Sequence, residues 1–330
     1  MITTRSPYRV SFFGGGTDYE DWFTENGGAF LSIAINYYTY ITLRIRPKFQ
    51  EKRYRILWRM VEEVKDINDI QHPIVREALK KYGFDKIGLD ISYIGDLPGG
   101  SGMGSSSSFT AALLLALKTH LNESVTPYEL SNISYDVEKN LLNETVGVQD
   151  QIATSFGGFN KVEIAKDGKF EVVPVNLSSK SLGSFLRRMV LVYTGTTRRA
   201  TDAASKKVNN MKNKSSDYEK IYKMVPYAHS LLLNNDFDSF GLLMDEAWKI
   251  KRELSDIMSN TIIDDIYDLG MNNGALGGKL LGAGAGGFVL FMCKEGMQEN
   301  LISKFKKNSI VPFKISASGT QVVYNEQGLI

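Results

Sequence analysis

Cysteine is almost absent from this chain: Cys293 is the only one in 330 residues. A single thiol excludes an intramolecular disulfide framework and any multi-cysteine zinc or iron–sulfur site, and it fits a reducing, cytoplasmic setting. Histidine is nearly as scarce. His72, His120 and His229 are scattered, with no metal-ligand spacing such as HExxH and no neighbouring GxSxG or Cys/His signature, so triad hydrolysis has no support. No apolar run approaches the roughly 20 residues that cross a bilayer, and the N-terminus lacks the basic, apolar and small-residue pattern of a signal peptide. An excess of one charge is missing too. Thirty-nine Lys and Arg face 37 Asp and Glu, a net charge of +2, so no broad basic field recommends nucleic acid or an anionic membrane as a partner.

What is present is a hydrophobic content of 43% over a length suited to two packed domains. Residues 10–13, 37–45 and 54–58 are rich in β-branched and aromatic side chains and are expected as strands. A helix is expected over 74–82, with Pro73 in its first turn. The alternating segment 89–93 reads as a strand, and 105–121, with its run of Ala and Leu, as a buried helix. A second helix follows near 127–142, then a strand pair around 159–164 and 170–175. The polar stretch 178–184 reads as a linker, which divides the chain into residues 1–180 and 185–330. In the second part, strands are expected at 189–193, 288–292 and 322–324, helices at 218–233, 237–254 and 297–306, and a polar surface loop at 206–217.

The strongest local signal lies between the 89–93 strand and the 105–121 helix: Pro98-Gly99-Gly100-Ser101-Gly102-Met103-Gly104-Ser105-Ser106-Ser107-Ser108. Glycines let the backbone approach an anion, and a helix start supplies unpaired N–H groups and the positive end of the dipole. A phosphate cradle follows. It is not a Walker A loop, because Ser105 stands where that loop requires lysine. Serine hydroxyls at the helix start suit Mg²⁺, a hard ion that takes oxygen ligands. The plainer reading is a flexible Gly/Ser turn with an ordinary cap, which needs less than this much sequence.

Glu138 and Asp150 are two carboxylates twelve residues apart, around Gly147-Val148-Gln149-Asp150-Gln151. Folded back by a turn, one can hold metal while the other orients a hydroxyl proton; by spacing alone, solvated helix-surface acids are the commoner case. Near the N-terminus, Pro7-Tyr8-Arg9-Val10-Ser11-Phe12-Phe13-Gly14-Gly15-Gly16-Thr17-Asp18-Tyr19 runs from a strand into three glycines and an acid. Small residues admit a polyol to the backbone, and a carboxylate accepts its hydroxyl protons; a glycine-rich hairpin is the alternative. A formal GxGxxG spans Gly282 to Gly287, but a strand-like segment follows it where a dinucleotide fold needs a helix.

In order and spacing these motifs resemble the GHMP kinase family, named for galactokinase, homoserine kinase, mevalonate kinase and phosphomevalonate kinase. The resemblance implies an α+β two-domain fold: an N-terminal domain of the ribosomal-protein-S5 domain 2 type and a ferredoxin-like C-terminal domain, with the site between them. It implies ATP and Mg²⁺ as cofactors and a small sugar or sugar phosphate as partner, and says nothing of oligomeric state. By the same resemblance Gly99, Gly100, Ser101, Gly102, Met103, Gly104, Ser105, Ser106 and Ser107 form the ATP-phosphate loop. Ser106 and Glu138 are Mg²⁺ ligands, Asp150 is the catalytic carboxylate and Arg9 its cationic neighbour. Gly14, Gly15, Gly16, Thr17 and Asp18 belong to the substrate motif, and the 282–287 segment supports the phosphate loop. Galactokinases carry Glu-His where this chain has Gly15-Gly16; the Phe-Gly-Gly-Gly-Thr-Asp form looks instead like the heptose phosphate kinase and fucokinase branch. Thr194-Gly195-Thr196-Thr197-Arg198 fits that branch as well. A second phosphate on the substrate would need a basic clamp, for which Arg198 is the first candidate, with Arg199, Arg5 and Lys48 behind it. A fucokinase- or galactokinase-like sugar 1-kinase, a non-catalytic sugar sensor on the same fold and, last, a nicotinamide-dependent oxidoreductase are the competing expectations.

Overall fold

The computed structural model describes residues 1–197, 211–254, 258–282, 284 and 286–326. Two long strands organise the first part. β1 (Ile2–Phe13) and β2 (Gly28–Ile45) pair antiparallel along their lengths, with register shifts at Pro7/Tyr8 and Ser11/Phe13. Between them lies the short helix α1 (Glu20–Asn26). Both strands extend well beyond the expected 10–13 and 37–45. Residues 2–9 of β1 carry Thr, Arg and Ser and lack the apolar density used to find strands, whereas 29–35 of β2 are largely apolar and buried, a strand signal that the sequence reading passed over.

β3 (Tyr54–Leu57) and β4 (Val61–Val64) form a hairpin, and α2 (Pro73–Lys81) leads to β5 (Leu89–Gly95). β2 serves two neighbours. Its first residues pair with β6 (Phe159–Ile164), which pairs onward with β7 (Phe170–Pro174), and its last residues pair with β5. β5 takes β3 in parallel, giving one eight-stranded sheet. On it pack α3 (Ser105–His120), α4 (Pro127–Asp136), which runs on through a π-helical turn at Val137–Leu141, and α5 (Gln149–Phe156). Thr126 and Glu129 close a reciprocal capping box at the start of α4.

The stretch expected as a linker is a helix, α6 (Ser179–Arg187). Ser178 caps it, accepting from the Ser181 N–H at 3.1 Å, and Leu182, Phe185 and Leu186 turn one face into the core. Serines that read as loop composition are thus cap and solvent face of an amphipathic turn.

The second part is a three-stranded antiparallel sheet in the order β8 (Met189–Tyr193), β10 (Phe288–Cys293), β9 (Ala275–Leu280). α7 (Ser215–Leu233) packs on α8 (Phe237–Glu253) and on β1 and β2, while α8, α9 (Thr261–Met271) and α10 (Gln298–Ser303) pack on the small sheet. The start of α7 takes residues 215–217 out of the expected loop, whose residues 206–210 lie outside the described residues. Strand alternation divides β10 cleanly. Phe288, Leu290 and Met292 share a core with Tyr8, Val10, Phe12, Phe185 and Phe240, while Val289, Phe291 and Cys293 pack with Trp248, Tyr267 and Leu301. One face of the small sheet is therefore sealed against the large one. The final strand β11 (Gln321–Asn325) crosses the expected 180/185 division and pairs with β1, so the C-terminal end belongs to the first sheet. Among the described residues no helix is long and apolar enough to cross a membrane.

Because Phe185 is fully buried among Phe12, Phe159, Phe237 and Phe240, Phe185→Ala should cost about 3–5 kcal/mol of stability. Urea unfolding checks this; a loss below about 1 kcal/mol would mean that α6 is a loose linker after all.

Candidate active site

Three backbone loops meet at the junction of the two sheets. The first joins β5 to α3. Its glycines Gly100, Gly102 and Gly104 all have positive φ (70°, 75° and 75°), the region that favours glycine. The second joins β9 to β10 as a hairpin, with Val289 opposite Leu280, so no strand–loop–helix dinucleotide unit forms around Gly282 to Gly287. These two loops touch backbone to backbone. A β-carbon on Gly282 would lie 2.4 Å from the Gly102 Cα, and one on Gly287 would lie 2.1 Å from the Ser101 carbonyl oxygen. Gly287 is tied further to the end of β8: its N–H donates to the Thr196 carbonyl at 2.8 Å, and its carbonyl accepts from the Thr194 N–H at 2.9 Å. Behind it the buried Lys251 of α8 donates to the Gly282 carbonyl at 2.7 Å. Lys279 of β9 donates to the Phe12 carbonyl at 2.7 Å, linking the hairpin to the end of β1.

The third loop, residues 14–19, leaves β1 for α1. Gly14, at φ 87°, has no space for a β-carbon, which would sit 2.0 Å from the Ala29 carbonyl oxygen. Thr17 is fully buried, its hydroxyl 2.9 and 2.8 Å from the Gly14 and Ala29 carbonyls. The side chain expected to meet substrate is therefore an internal brace. Asp18 is buried as well. One carboxylate oxygen accepts from the Gly16 N–H at 2.8 Å and the other from the Gln149 N–H at 3.3 Å, while its carbonyl accepts from the Val148 N–H at 3.0 Å. A carboxylate at the start of α5 is favoured by the helix dipole, and it fixes the 14–19 loop to the helix that carries Asp150.

Arg9 joins all of this. Its Nε and Nη2 donate to the two Asp150 carboxylate oxygens at 2.8 and 2.9 Å, a bidentate pair, and its Nη1 donates to the Gly102 carbonyl at 2.6 Å. Its own N–H donates to the Met103 carbonyl at 3.0 Å. Arg9 is 4% exposed, whereas the Asp150 side chain is 30% exposed, so the carboxylate has an open side near Gly104 of the β5–α3 loop.

The serines after that loop divide their roles. α3 begins at Gly104 with no side-chain cap and no acid in its first turn, which leaves its N–H groups facing outward. Ser106 is exposed there. The Ser105 hydroxyl accepts from the Gly100 N–H at 3.4 Å, and Ser108 donates to the Ser6 carbonyl at 2.9 Å. The serine bonded to Glu138 is Ser107, at 3.0 Å, not Ser106. Met103 contributes only backbone, since its side chain lies in the core.

Glu138 sits in the π-helical turn, fully buried. Its Oε2 accepts from Ser107 and from the Gln151 amide at 2.7 Å, and its Oε1 has no hydrogen-bond partner among the described residues. Burial pushes its carboxyl up to about 7, against the pull of those hydrogen bonds. An unused carboxylate oxygen beside serine hydroxyls is a hard, oxygen-only donor set, which fits Mg²⁺. Among the described residues no cluster of three or more His, Cys, Asp or Glu could hold a metal, so Glu138 would share such an ion with hydroxyl, phosphate or water oxygens.

Sequence reasoning missed Tyr218 of α7, whose ring fills the space in front of Gly16, and did not assign Gln149, which faces Gly15. Tyr218 lies on the apolar stripe of its helix with Ile221 and Val225, so its pattern is that of an ordinary core aromatic. Arg198 and Arg199 lie outside the described residues. Of the other clamp candidates, Arg5 stacks over Tyr38 on a part of β1 that pairs with β11, and Lys48 is exposed in the loop after β2.

Two family models match this chain: the one described as GHMP kinases N terminal domain over residues 70–158, and the one described as GHMP kinases C terminal over residues 228–319. The D-glycero-alpha-D-manno-heptose 7-phosphate kinase of Campylobacter jejuni subsp. jejuni serotype O:2 is 28% identical over 326 residues, covering 93% of each chain. The bifunctional fucokinase/GDP-fucose pyrophosphorylase of Arabidopsis thaliana is 27% identical over 88% of this chain and 29% of its own length. Among solved structures, a D-glycero-D-manno-heptose 1-phosphate kinase from Bacteriodes thetaiotaomicron superposes with a TM-score of 0.76 at 22% identity, covering 99% of this chain and 100% of that one.

Two outcomes follow from the geometry. Gly282→Ala should leave a folded protein whose affinity for Mg²⁺-ATP falls at least about tenfold, because the new β-carbon must displace Gly102; equilibrium nucleotide binding checks it. Glu138, with its carboxyl raised above the unfolded value, stabilises the fold fully below about pH 4.5 and loses that contribution as pH rises through about 7. In metal-free buffer the unaltered protein should therefore lose about 3 kcal/mol relative to Glu138→Gln between pH 4.5 and 8, with denaturant unfolding across that range as the measurement.

Proposed function

Since this chain belongs to the GHMP kinase family, we propose that it transfers the γ-phosphoryl group of Mg²⁺-ATP to the anomeric hydroxyl of D-glycero-D-manno-heptose 7-phosphate, giving the 1,7-bisphosphate used to build nucleotide-activated heptose. The observation that carries the reading is the bidentate Arg9–Asp150 pair, whose partly open carboxylate stands between the glycine loop of α3 and the 14–19 loop. A kinase needs a phosphate cradle, an oriented carboxylate and an acceptor pocket within reach of one another, and the close approach of these three loops supports that reading.

In the proposed reaction the anomeric oxygen attacks the γ-phosphorus in line, the bond to the β-phosphate oxygen breaks, and ADP leaves. Asp150 accepts the hydroxyl proton or orients it. Arg9 holds that carboxylate in one rotamer through two hydrogen bonds and places a fixed positive charge beside the reacting oxygens. The N–H groups at the start of α3 and the positive-φ glycines bind the phosphate oxygens. Mg²⁺, held by Glu138 with a serine hydroxyl of the first turn, would neutralise charge on the nucleotide phosphates.

The heptose assignment draws support from the Phe-Gly-Gly-Gly-Thr-Asp segment and from the names of the relatives, one a heptose 7-phosphate kinase and one a heptose 1-phosphate kinase. A second reading, a 1-kinase for an unphosphorylated sugar, draws support from the 27% identical relative named as a bifunctional fucokinase/GDP-fucose pyrophosphorylase. A sugar sensor without turnover is opposed by the retention of Arg9, Asp150 and Glu138 in bonded positions.

ADP release with Mg²⁺-ATP should occur with the heptose 7-phosphate and be lower by at least about 100-fold in Asp150→Asn, with circular dichroism confirming the fold. Turnover of fucose or galactose in preference to heptose 7-phosphate would select the second reading, and full activity of Asp150→Asn would remove Asp150 from the mechanism.

A further inference from the structure

Two consecutive glycines of the 14–19 loop face two residues from elsewhere, each with one buried polar atom that has no hydrogen-bond partner among the described residues. A β-carbon on Gly15 would point at the Gln149 Oε1, 3.8 Å away, and one on Gly16 would run into the Tyr218 ring at 2.6 Å. The Gln149 Nε2 and the Tyr218 Oη have no hydrogen-bond partner among the described residues, although the two residues are only 4% and 1% exposed. Trp22, whose ring lies 5.5 Å from that of Tyr218, has an unpartnered Nε1 as well. Gln149 and Tyr218 both lie near Asp18, which bonds the N–H groups of Gly16 and Gln149.

Buried polar groups in folded proteins are nearly always bonded, so several orphans around one loop call for a ligand that is itself polar. The chemistry of the orphans narrows it. An amide N–H can only donate, a phenol can donate or accept, and a carboxylate only accepts. A pair of neighbouring sugar hydroxyls offers both a lone pair and a proton to such a set, whereas an alkyl chain or a deoxy sugar would leave the orphans unpaired. Gly16 lets the Tyr218 ring pack directly against the loop, and Gly15 leaves the Gln149 amide in ordinary contact distance of it.

Resting on the sugar kinase reading, we propose that Gln149 and Tyr218 are specificity-determining residues, which together with Asp18 bind the non-reacting hydroxyls of the acceptor. Tyr218 comes from α7, so the acceptor pocket is completed by the C-terminal half of the chain. A site built this way rejects an acceptor that lacks the matching hydroxyl far more strongly than an apolar pocket could.

The test compares Tyr218→Phe and Gln149→Met with the unaltered protein by ADP release against D-glycero-D-manno-heptose 7-phosphate and by thermal unfolding without ligand. The acceptor KM should rise about tenfold or more in each variant while the KM for Mg²⁺-ATP stays within about twofold. The unfolding midpoint of free Tyr218→Phe should be equal to or above that of the unaltered protein, because the substitution deletes an unbonded buried hydroxyl. An unchanged acceptor KM in both variants overturns the inference. So does a lowered midpoint accompanied by a parallel rise of both KM values, the mark of a purely structural role. If the unaltered protein releases no ADP with any sugar, the kinase reading fails and the inference falls with it, a result seen before either variant is made.

Discussion

The contact between Gly102 and Gly282 leaves no room for a β-carbon on either side, and the rest of the site is built outward from it. Two loops from opposite halves of the chain can approach this closely only as bare backbone, with φ near 75° at both positions. Once they do, the loop before α3 is no longer a flexible Gly/Ser turn. Its carbonyls at 102 and 103 become fixed acceptors for Arg9, and Arg9 in turn fixes Asp150. Lys251 and the end of β8 hold the hairpin from behind. The shared core of β1, α6, α8 and β10 supplies the rigid backing that makes such close approach persistent.

Buried charge is managed differently at each position. Arg9 is nearly inaccessible but meets a carboxylate and a carbonyl, so its desolvation is offset by charge-assisted hydrogen bonds. Lys279 and Lys251 bond backbone carbonyls at the loop they stabilise. Glu138 keeps one oxygen without a hydrogen-bond partner among the described residues, and burial raises its carboxyl above the ordinary range. The same inequality is visible among the neutral groups: Gln149 and Tyr218 are the orphans of the acceptor side, as Glu138 and Ser101 are on the phosphate side. Other buried atoms without a partner, on Thr39, His72 and Trp248 for example, lie away from the site, so it is the facing of Gln149 and Tyr218 onto one loop that sets these two apart.

The loop before α3 was legible in sequence because glycine punctuation between an alternating strand and an apolar helix has few other meanings. Helix α3 followed from its Ala and Leu run, and the strand character after Gly287 correctly argued against a dinucleotide fold. α6 was not legible by composition, since its serines are a cap and a solvent face; only the spacing of Leu182, Phe185 and Leu186 records the helix. The pairing of β11 with β1 joins the two ends of the chain, a contact that no local pattern encodes. Arg9 and Asp150 came from motif resemblance, but their bidentate geometry, the brace made by Thr17 and the hydrogen bond from Ser107 to Glu138 depend on how loops fold back on one another. Tyr218 was hidden for the same reason: along α7 it has the periodicity of a core residue, and only the space above Gly16 distinguishes it.

The central claim is that the anomeric oxygen of a heptose 7-phosphate, held beside Asp150, attacks the γ-phosphorus of ATP. The most direct measurement is ³¹P NMR of the product made from acceptor labelled with ¹⁸O at the anomeric position. The account predicts a new phosphoryl resonance coupled to the anomeric proton and carrying the ¹⁸O isotope shift, with one ADP formed per phosphoryl transferred. Release of inorganic phosphate without sugar phosphorylation, or a new phosphoryl group without the isotope shift, would contradict it.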